Sequence, residues 1–272
     1  MPSRSNLIPR ALTALFGIPF VLALDHLGGW YFAAAVGLVA AVASSEVAGL
    51  LRRTHRPPVP SRAASIAGVA GAIAAGISPE LPGSPQAWWT GILIAILVFS
   101  SLTELRRPQP GTWYLSVIPV LYVGVTLGHL IALREARDGA WWVLVILVIT
   151  WAYDSGAYLV GSTVGKHGFM RHVSASKTVE GLGGGLVLAA IAGLLAHPTI
   201  GLAWWQGASL GLFGGIATQA GDLLESMIKR QAGVKDAGSI LPGHGGMLDR
   251  VDGLLLSGVL AYYAAMALGY AS

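Results

Sequence analysis

The sequence predicts an all-α integral membrane protein with about nine membrane-spanning helices. Three observations carry this prediction: 54% of the 272 residues are hydrophobic, only 11% are charged, and long apolar runs recur along the whole chain. A soluble globule of this length needs more polar surface than such a composition supplies. The absence of cysteine also excludes disulfides, thiolate nucleophiles and iron–sulfur clusters.

Each predicted helix corresponds to one apolar run, because a spanning helix requires about 20 apolar residues. Six runs approach or reach that length, at residues 30–51, 87–102, 113–133, 141–160, 204–227 and 253–270. Three further runs, at residues 7–24, 63–77 and 181–196, are shorter or richer in glycine and alanine. The glycines at positions 181–185 are typical of a small-residue face on which two membrane helices pack.

The distribution of positive charge predicts the orientation of these helices, because cytoplasmic loops are enriched in lysine and arginine. With a cytoplasmic N-terminus and nine spans, nearly all of the 17 lysine and arginine residues are expected on the cytoplasmic side. The two expected outside are Arg134 and Arg137. Their charges are offset by Glu135 and Asp138. The C-terminus is therefore expected outside. The net charge of +4 indicates affinity for anionic head groups and phosphates rather than for nucleic acid.

The two halves of the chain differ in where acidic residues occur. Residues 1–137 contain one acid in an apolar run, Glu46, and are predicted to be a transmembrane scaffold. Residues 138–272 are predicted to be the catalytic region, with cytoplasmic loops at 166–180 and 229–248. Six acids of this region fall in or at the ends of apolar runs: Asp154, Glu180, Asp222, Glu225, Asp249 and Asp252. Carboxylates in such positions usually face a cavity, a partner or a metal, so we expect a shared site.

Two pairs of carboxylates have the spacing of one helical turn. Asp222 and Glu225 share a face with Ser226, and Asp249 and Asp252 repeat the same spacing after a Gly-Gly turn. Such pairs are suited to hold Mg²⁺ against phosphate oxygens, because Mg²⁺ prefers a few carboxylates, waters and substrate phosphates. A second cation is also compatible with so acidic a site. The alternative is a set of structural salt bridges.

A basic, glycine-containing stretch joins these two pairs and predicts a phosphate site. Its cations are Lys229, Arg230, Lys235 and Arg250, which suit the charge of a polyphosphate. Gly245 and Gly246 permit a tight turn whose backbone N–H groups lead into a helix N-terminus, a favourable anion position. His244 could donate to phosphate or carry a proton, and a packing role is the alternative.

The order of residues from Ser226 to Asp252, SMIKRQAGVKDAGSILPGHGGMLDRVD, resembles the signature of CDP-diacylglycerol synthases, also called phosphatidate cytidylyltransferases. A second stretch, ending in Lys177-Thr178-Val-Glu-Gly, resembles another element of that family. It departs from the family at positions 175 and 176, where alanine and Ser176 replace proline and lysine. The resemblance implies a substrate role for Lys177, Ser174, Ser176, Thr178, Ser226, Gly245 and Gly246. It further implies that Asp222 and Asp249 bind the metal, with Glu225, Asp252 and the intramembrane Asp154 in support.

The resemblance implies transfer of a cytidylyl group from CTP to phosphatidic acid, giving CDP-diacylglycerol and pyrophosphate. It also implies a homodimer in a bacterial-type cell membrane, with the active site on the cytoplasmic side. A membrane lipid or polyprenol kinase that uses CTP is the alternative enzyme. A transporter with a buried acidic pathway is the alternative from another class, although acids clustered at one face and a basic loop argue against it.

Overall fold

The computed structural model describes residues 7–54, 118–170, 173–174, 176–238 and 245–271. Within these ranges every regular element is a helix, and an isolated β-bridge joins Gly168 and Thr178. The α-helices are α1 (Leu7–Leu27), α2 (Gly29–Thr54), α3 (Thr126–Glu135), α4 (Gly139–Val164), α5 (Val179–Ala196), α6 (Trp204–Gln231) and α7 (Leu248–Ala267). A π-helical segment (Val120–Val125) leads into α3, and a 3₁₀ turn (His197–Ile200) follows α5. The prediction of an all-α fold is confirmed for the described residues.

The helices coincide with the apolar runs of the sequence wherever those runs are described. Among the described residues, three stretches are long and apolar enough to cross a membrane: Gly29–Leu51, Gly139–Val164 and Val179–Ile200. A shorter apolar stretch, Gly17–Leu27, lies in α1. The runs at 63–77 and 87–102, and the start of the run at 113–133, lie outside the described residues.

The described residues form two units. The first contains the chain up to Ala132 together with Gln231–Arg250, and the second contains Leu133–Arg230 together with the chain from Val251 onward. In the first unit, α2 buries a face of small side chains that includes Ala40, Ala43 and Val47. The Ser44 hydroxyl on this face donates to the Pro119 carbonyl over 3.4 Å, which attaches the start of the π-helical region to α2.

Helices α4 and α5 pack closely in the second unit because glycines face each other's backbones. A Cβ at Gly185 would lie 2.8 Å from the Tyr153 ring, and a Cβ at Gly156 would lie 2.7 Å from the Gly184 carbonyl oxygen. A Cβ at Gly184 would overlap the Val160 side chain. The predicted small-residue packing face at positions 181–185 is therefore confirmed, with two helices approaching closer than larger side chains would permit.

Polar side chains join α4, α6 and α7 inside the second unit. Thr150 Oγ1 and Ser257 Oγ are 3.1 Å apart, and the Thr218 hydroxyl donates to Thr150 over 3.4 Å. The Tyr153 hydroxyl donates to Gln219 Oε1 over 2.5 Å. In an apolar environment such groups need partners inside the protein, so these bonds fix which faces of the helices meet. They set the position of the acidic end of α6.

Candidate metal and phosphate site

Three carboxylates converge where α6 and α7 approach each other in the second unit. Asp222, Glu225 and Asp252 each offer an oxygen atom, and these atoms all lie within 4.8 Å of one another. Gly221 makes the approach possible, because a Cβ at this position would overlap the Asp252 carbonyl oxygen. We call these three side chains the acidic cluster.

The electrostatics of the acidic cluster require positive charge. Glu225 is 1% exposed, and Asp222 and Asp252 are half-buried. Carboxylates at such separations repel one another unless a proton or a cation is shared between them. Two lysines provide part of that charge: Lys177 Nζ lies 2.6 Å from Asp222 Oδ2, and Lys229 Nζ lies 2.5 Å from Glu225 Oε2.

The donor atoms of the cluster match what a hard divalent cation binds, since all three are carboxylate oxygens. Neighbouring groups orient two of these carboxylates. The Ser226 hydroxyl donates to Asp222 Oδ1 over 3.3 Å, and the Gly253 N–H donates to Asp252 Oδ1 over 2.8 Å. Supporting hydrogen bonds of this kind are typical of metal-binding carboxylates. The cluster therefore fits Mg²⁺.

The segment between α4 and α5 is attached to the end of α6. Arg230 Nε donates to the Val173 carbonyl over 3.0 Å. Thr178 caps α5, because its hydroxyl accepts the Gly181 N–H over 3.1 Å. Ser174 is half-buried and Ser176 is exposed. Lys177, which the sequence predicted to bind substrate, lies on this attached segment and contacts Asp222.

Glu180 has a different role from the acids of the cluster. Its carboxylate accepts the backbone N–H of Lys166 over 3.1 Å and that of His167 over 3.2 Å. His167 Nδ1 lies 2.6 Å from Glu180 Oε1. Glu180 therefore closes the segment that follows α4, and it does not belong to the group of three.

The turn before α7 lies in the first unit, and its backbone N–H groups donate hydrogen bonds to carboxylates. Asp249 Oδ2 accepts from Ala237 over 3.0 Å and from Gly246 over 2.7 Å. The next two N–H groups of the turn, those of Met247 and Leu248, donate to another carboxylate, that of Glu46 on α2. At the helix start that the sequence predicted for phosphate, the N–H groups of Gly246, Met247 and Leu248 thus have acceptors from the protein itself.

Other predicted residues are not members of the acidic cluster. Asp154 is exposed on α4 and is not one of the three clustered acids. Lys235 and Arg250 are also exposed, and Gly245 adopts a positive φ of 79° that favours glycine in the turn. His244 lies outside the described residues. The role of Glu46 was missed, although an acid inside an apolar run was a signal that could have indicated it.

Comparison with known proteins yields one family. A model described as the cytidylyltransferase family matches residues 8–268. The match covers both described units and all three members of the acidic cluster.

Several curated bacterial proteins are similar to this chain, and each is named phosphatidate cytidylyltransferase. The Synechocystis sp. protein is 30% identical over 95% of this chain and 96% of its own length. The Staphylococcus haemolyticus protein is 31% identical over 90% of this chain and 94% of its own length. The Bacillus subtilis protein is 39% identical over 54% of this chain and 55% of its own length.

Proposed function

The chain belongs to the cytidylyltransferase family, and on that premise we propose that it transfers the cytidylyl group of CTP to phosphatidic acid. It is a membrane protein and a nucleotidyltransferase of phospholipid synthesis, like relatives that match it over nearly their whole length. The products of this reaction are CDP-diacylglycerol and pyrophosphate.

The observation that best supports the proposal is the acidic cluster with its two lysines. Asp222, Glu225 and Asp252 would hold Mg²⁺, and we propose the same role for Asp249 on the motif alone. The ion would screen the triphosphate's charge and hold its oxygens in place. A second cation is also compatible with so many carboxylates.

The chain's cations serve a reaction in which two anions must meet. A phosphate oxygen of phosphatidic acid bonds to the α-phosphorus of CTP. The bond from that phosphorus to the oxygen that bridges the α- and β-phosphates breaks. Pyrophosphate leaves with the electron pair. Because the two reactants repel each other, the protein's main task is to position them and neutralise charge.

Lys177 and Lys229 are suited to this task because they are held beside the acidic cluster. We propose that both bind phosphate oxygens during turnover. Further contributions are proposed from Arg230, Lys235, Arg250, His244, Ser174, Ser176, Thr178, Ser226, Gly245 and Gly246.

We further propose nine spans with a cytoplasmic N-terminus, an active site on the cytoplasmic side of the cell membrane, and a homodimer. The orientation is testable because the chain has no cysteine. A single cysteine at Lys235 should react with a membrane-impermeant thiol reagent only from the cytoplasmic side. A single cysteine at Arg137 should react only from outside.

The function is tested with purified protein in detergent, phosphatidic acid, Mg²⁺ and CTP labelled at the α-phosphate. We expect the label in the lipid, with one pyrophosphate released for each labelled lipid. Label left in soluble CDP would instead indicate phosphoryl transfer from the γ-position. Diacylglycerol in place of phosphatidic acid is the matched control, because it lacks the attacking phosphate.

A further inference from the structure

Glu46 is a buried acid on α2, in a region predicted to be scaffold. It is 7% exposed and lies within the apolar stretch Gly29–Leu51. An ionisable side chain in such a stretch is energetically costly unless it has partners. Its partners therefore indicate why the residue is there.

Both oxygens of Glu46 bind the start of α7. Oε1 accepts the Met247 N–H over 3.0 Å, and Oε2 accepts the Leu248 N–H over 2.7 Å. The first N–H groups of a helix have no partner within the helix, and its N-terminus carries partial positive charge. Glu46 thus caps α7 with its carboxylate, although it lies 201 residues before Met247 in the chain.

Two glycines of the motif leave space for this carboxylate. A Cβ at Gly246 would lie 2.6 Å from Glu46 Oε2 and 2.7 Å from Oε1, and a Cβ at Gly238 would overlap the same side chain. At both positions the three nearest atoms belong to Glu46. Neither glycine has a positive φ, so space for Glu46, and not backbone conformation, accounts for glycine at these positions.

Asp249 and Glu46 together accept hydrogen bonds from three successive N–H groups, those of Gly246, Met247 and Leu248. We propose that Glu46 is a positioning residue for cytidylyl transfer, which fixes the turn before α7 and thereby the orientation of Asp249. This inference rests on the proposed function, in which Asp249 is a metal ligand. Glu46 itself would touch neither substrate nor metal.

The first test compares Glu46→Ala and Glu46→Gln with the unsubstituted protein. Loss of a side chain that supports a metal ligand typically costs about 10- to 100-fold in activity or metal affinity. We expect turnover of Glu46→Ala to fall within that range and the Mg²⁺ concentration for half-maximal activity to rise. Glu46→Gln should show a smaller loss, because one oxygen remains to accept and the near-isosteric amide favours folding.

Hydrogen–deuterium exchange provides a readout that does not depend on activity. In Glu46→Ala the amides of Met247 and Leu248 should exchange faster, while those of α4 stay unchanged. A residue that only stabilised the fold would lower the amount of active enzyme without changing its Mg²⁺ requirement. Unchanged exchange at these two amides, or an unchanged Mg²⁺ requirement in both variants, would overturn the inference.

A second test uses the space that Gly246 leaves. Gly246→Ala should reduce turnover when it is made in the unsubstituted protein. In the Glu46→Ala background, where the obstructing carboxylate is absent, the same substitution should cause little further loss of turnover. Gly183→Ala is the matched control, since no atom lies within 4 Å of a Cβ there. An equal cost of Gly246→Ala in both backgrounds would contradict a contact with Glu46.

Two outcomes distinguish the role of Glu46 from the proposed function. If the unsubstituted protein labels no lipid, the proposed function is wrong, and the exchange rates still test the contact. If the unsubstituted protein is active and Glu46→Ala matches it, only the role of Glu46 is wrong.

Discussion

Lys177 Nζ lies 2.6 Å from Asp222 Oδ2, which joins the segment before α5 to the acidic end of α6. The lysine is 17% exposed and the aspartate 32% exposed, so the ion pair is partly shielded from water and from salt. Asp222 also belongs to the acidic cluster. The pair therefore places a cation beside a carboxylate of the acidic cluster, which suits the phosphate-binding and metal-binding roles that we propose for them.

Removing charge from the acidic cluster should abolish most of the activity. Asp222→Asn keeps the size of the side chain but removes the charge of a proposed Mg²⁺ ligand, so turnover should fall at least about 100-fold, the upper end of the cost of losing a ligand's supporting partner. The measurement is transfer of label from CTP to lipid, with helix content monitored by circular dichroism. Glu135→Gln, at an exposed position, should behave as the unsubstituted protein. Substantial activity in Asp222→Asn would remove this residue from the metal site.

Metal binding should be detectable without turnover. A ligand that binds only the folded protein stabilises it, by about 2.7 kcal/mol at 100 times its dissociation constant. Millimolar Mg²⁺ should therefore raise the melting temperature of protein treated with a chelator. The same addition should have little effect on Asp252→Asn. An equal rise in that variant would place the stabilising ion elsewhere.

The ion pair between Lys229 and Glu225 should stabilise the fold. Glu225 is 1% exposed and Lys229 is 12% exposed, and removing one partner of a buried pair typically costs about 3 kcal/mol. Lys229→Met should therefore unfold more readily than the unsubstituted protein in Mg²⁺-free denaturation. The double variant Glu225→Gln with Lys229→Met should recover part of the loss. If the double variant is less stable than Lys229→Met, the charge on Glu225 has another favourable partner.

Two glycines of α5 should respond differently to alanine. A Cβ at Gly185 would lie 2.8 Å from the Tyr153 ring, whereas no atom lies within 4 Å of a Cβ at Gly183. Gly185→Ala should lower the melting temperature because α4 and α5 must move apart. Gly183→Ala should leave it unchanged or raise it, since alanine favours a helix by about 1 kcal/mol over glycine. Similar melting temperatures for the two variants would contradict the close packing of these helices.

Much of the helical architecture was predictable because it depends on local composition. The apolar run at 141–160 became α4 (Gly139–Val164), and the run at 204–227 became α6 (Trp204–Gln231). Both helices extend a few residues beyond these runs at the C-terminal end, and α4 also extends at its start. Polar residues at the ends of an apolar run can continue the helical hydrogen bonding of the backbone, because their side chains reach out of the apolar region.

The candidate site was only partly predictable. Six acids were expected to share one site, and the structure brings together Asp222, Glu225 and Asp252. Glu180 instead binds the backbone of His167, and Asp249 binds that of Gly246. Sequence spacing places two residues on one face of a helix, but it carries no information on which backbone groups will lie within hydrogen-bonding distance.

By itself, the sequence determined the helical class, the positions of the described helices, the resemblance to a family and the chemical character of the site. Those properties follow from the length and hydrophobicity of contiguous segments and from the order of residues along the chain. The tertiary structure decided which charges meet: Lys177 with Asp222, Lys229 with Glu225, and Glu46 with the start of α7. Hydrogen bonds and ion pairs act over about 3 Å, so when partners are as far apart in sequence as Glu46 and Leu248, only the folded chain determines whether they meet.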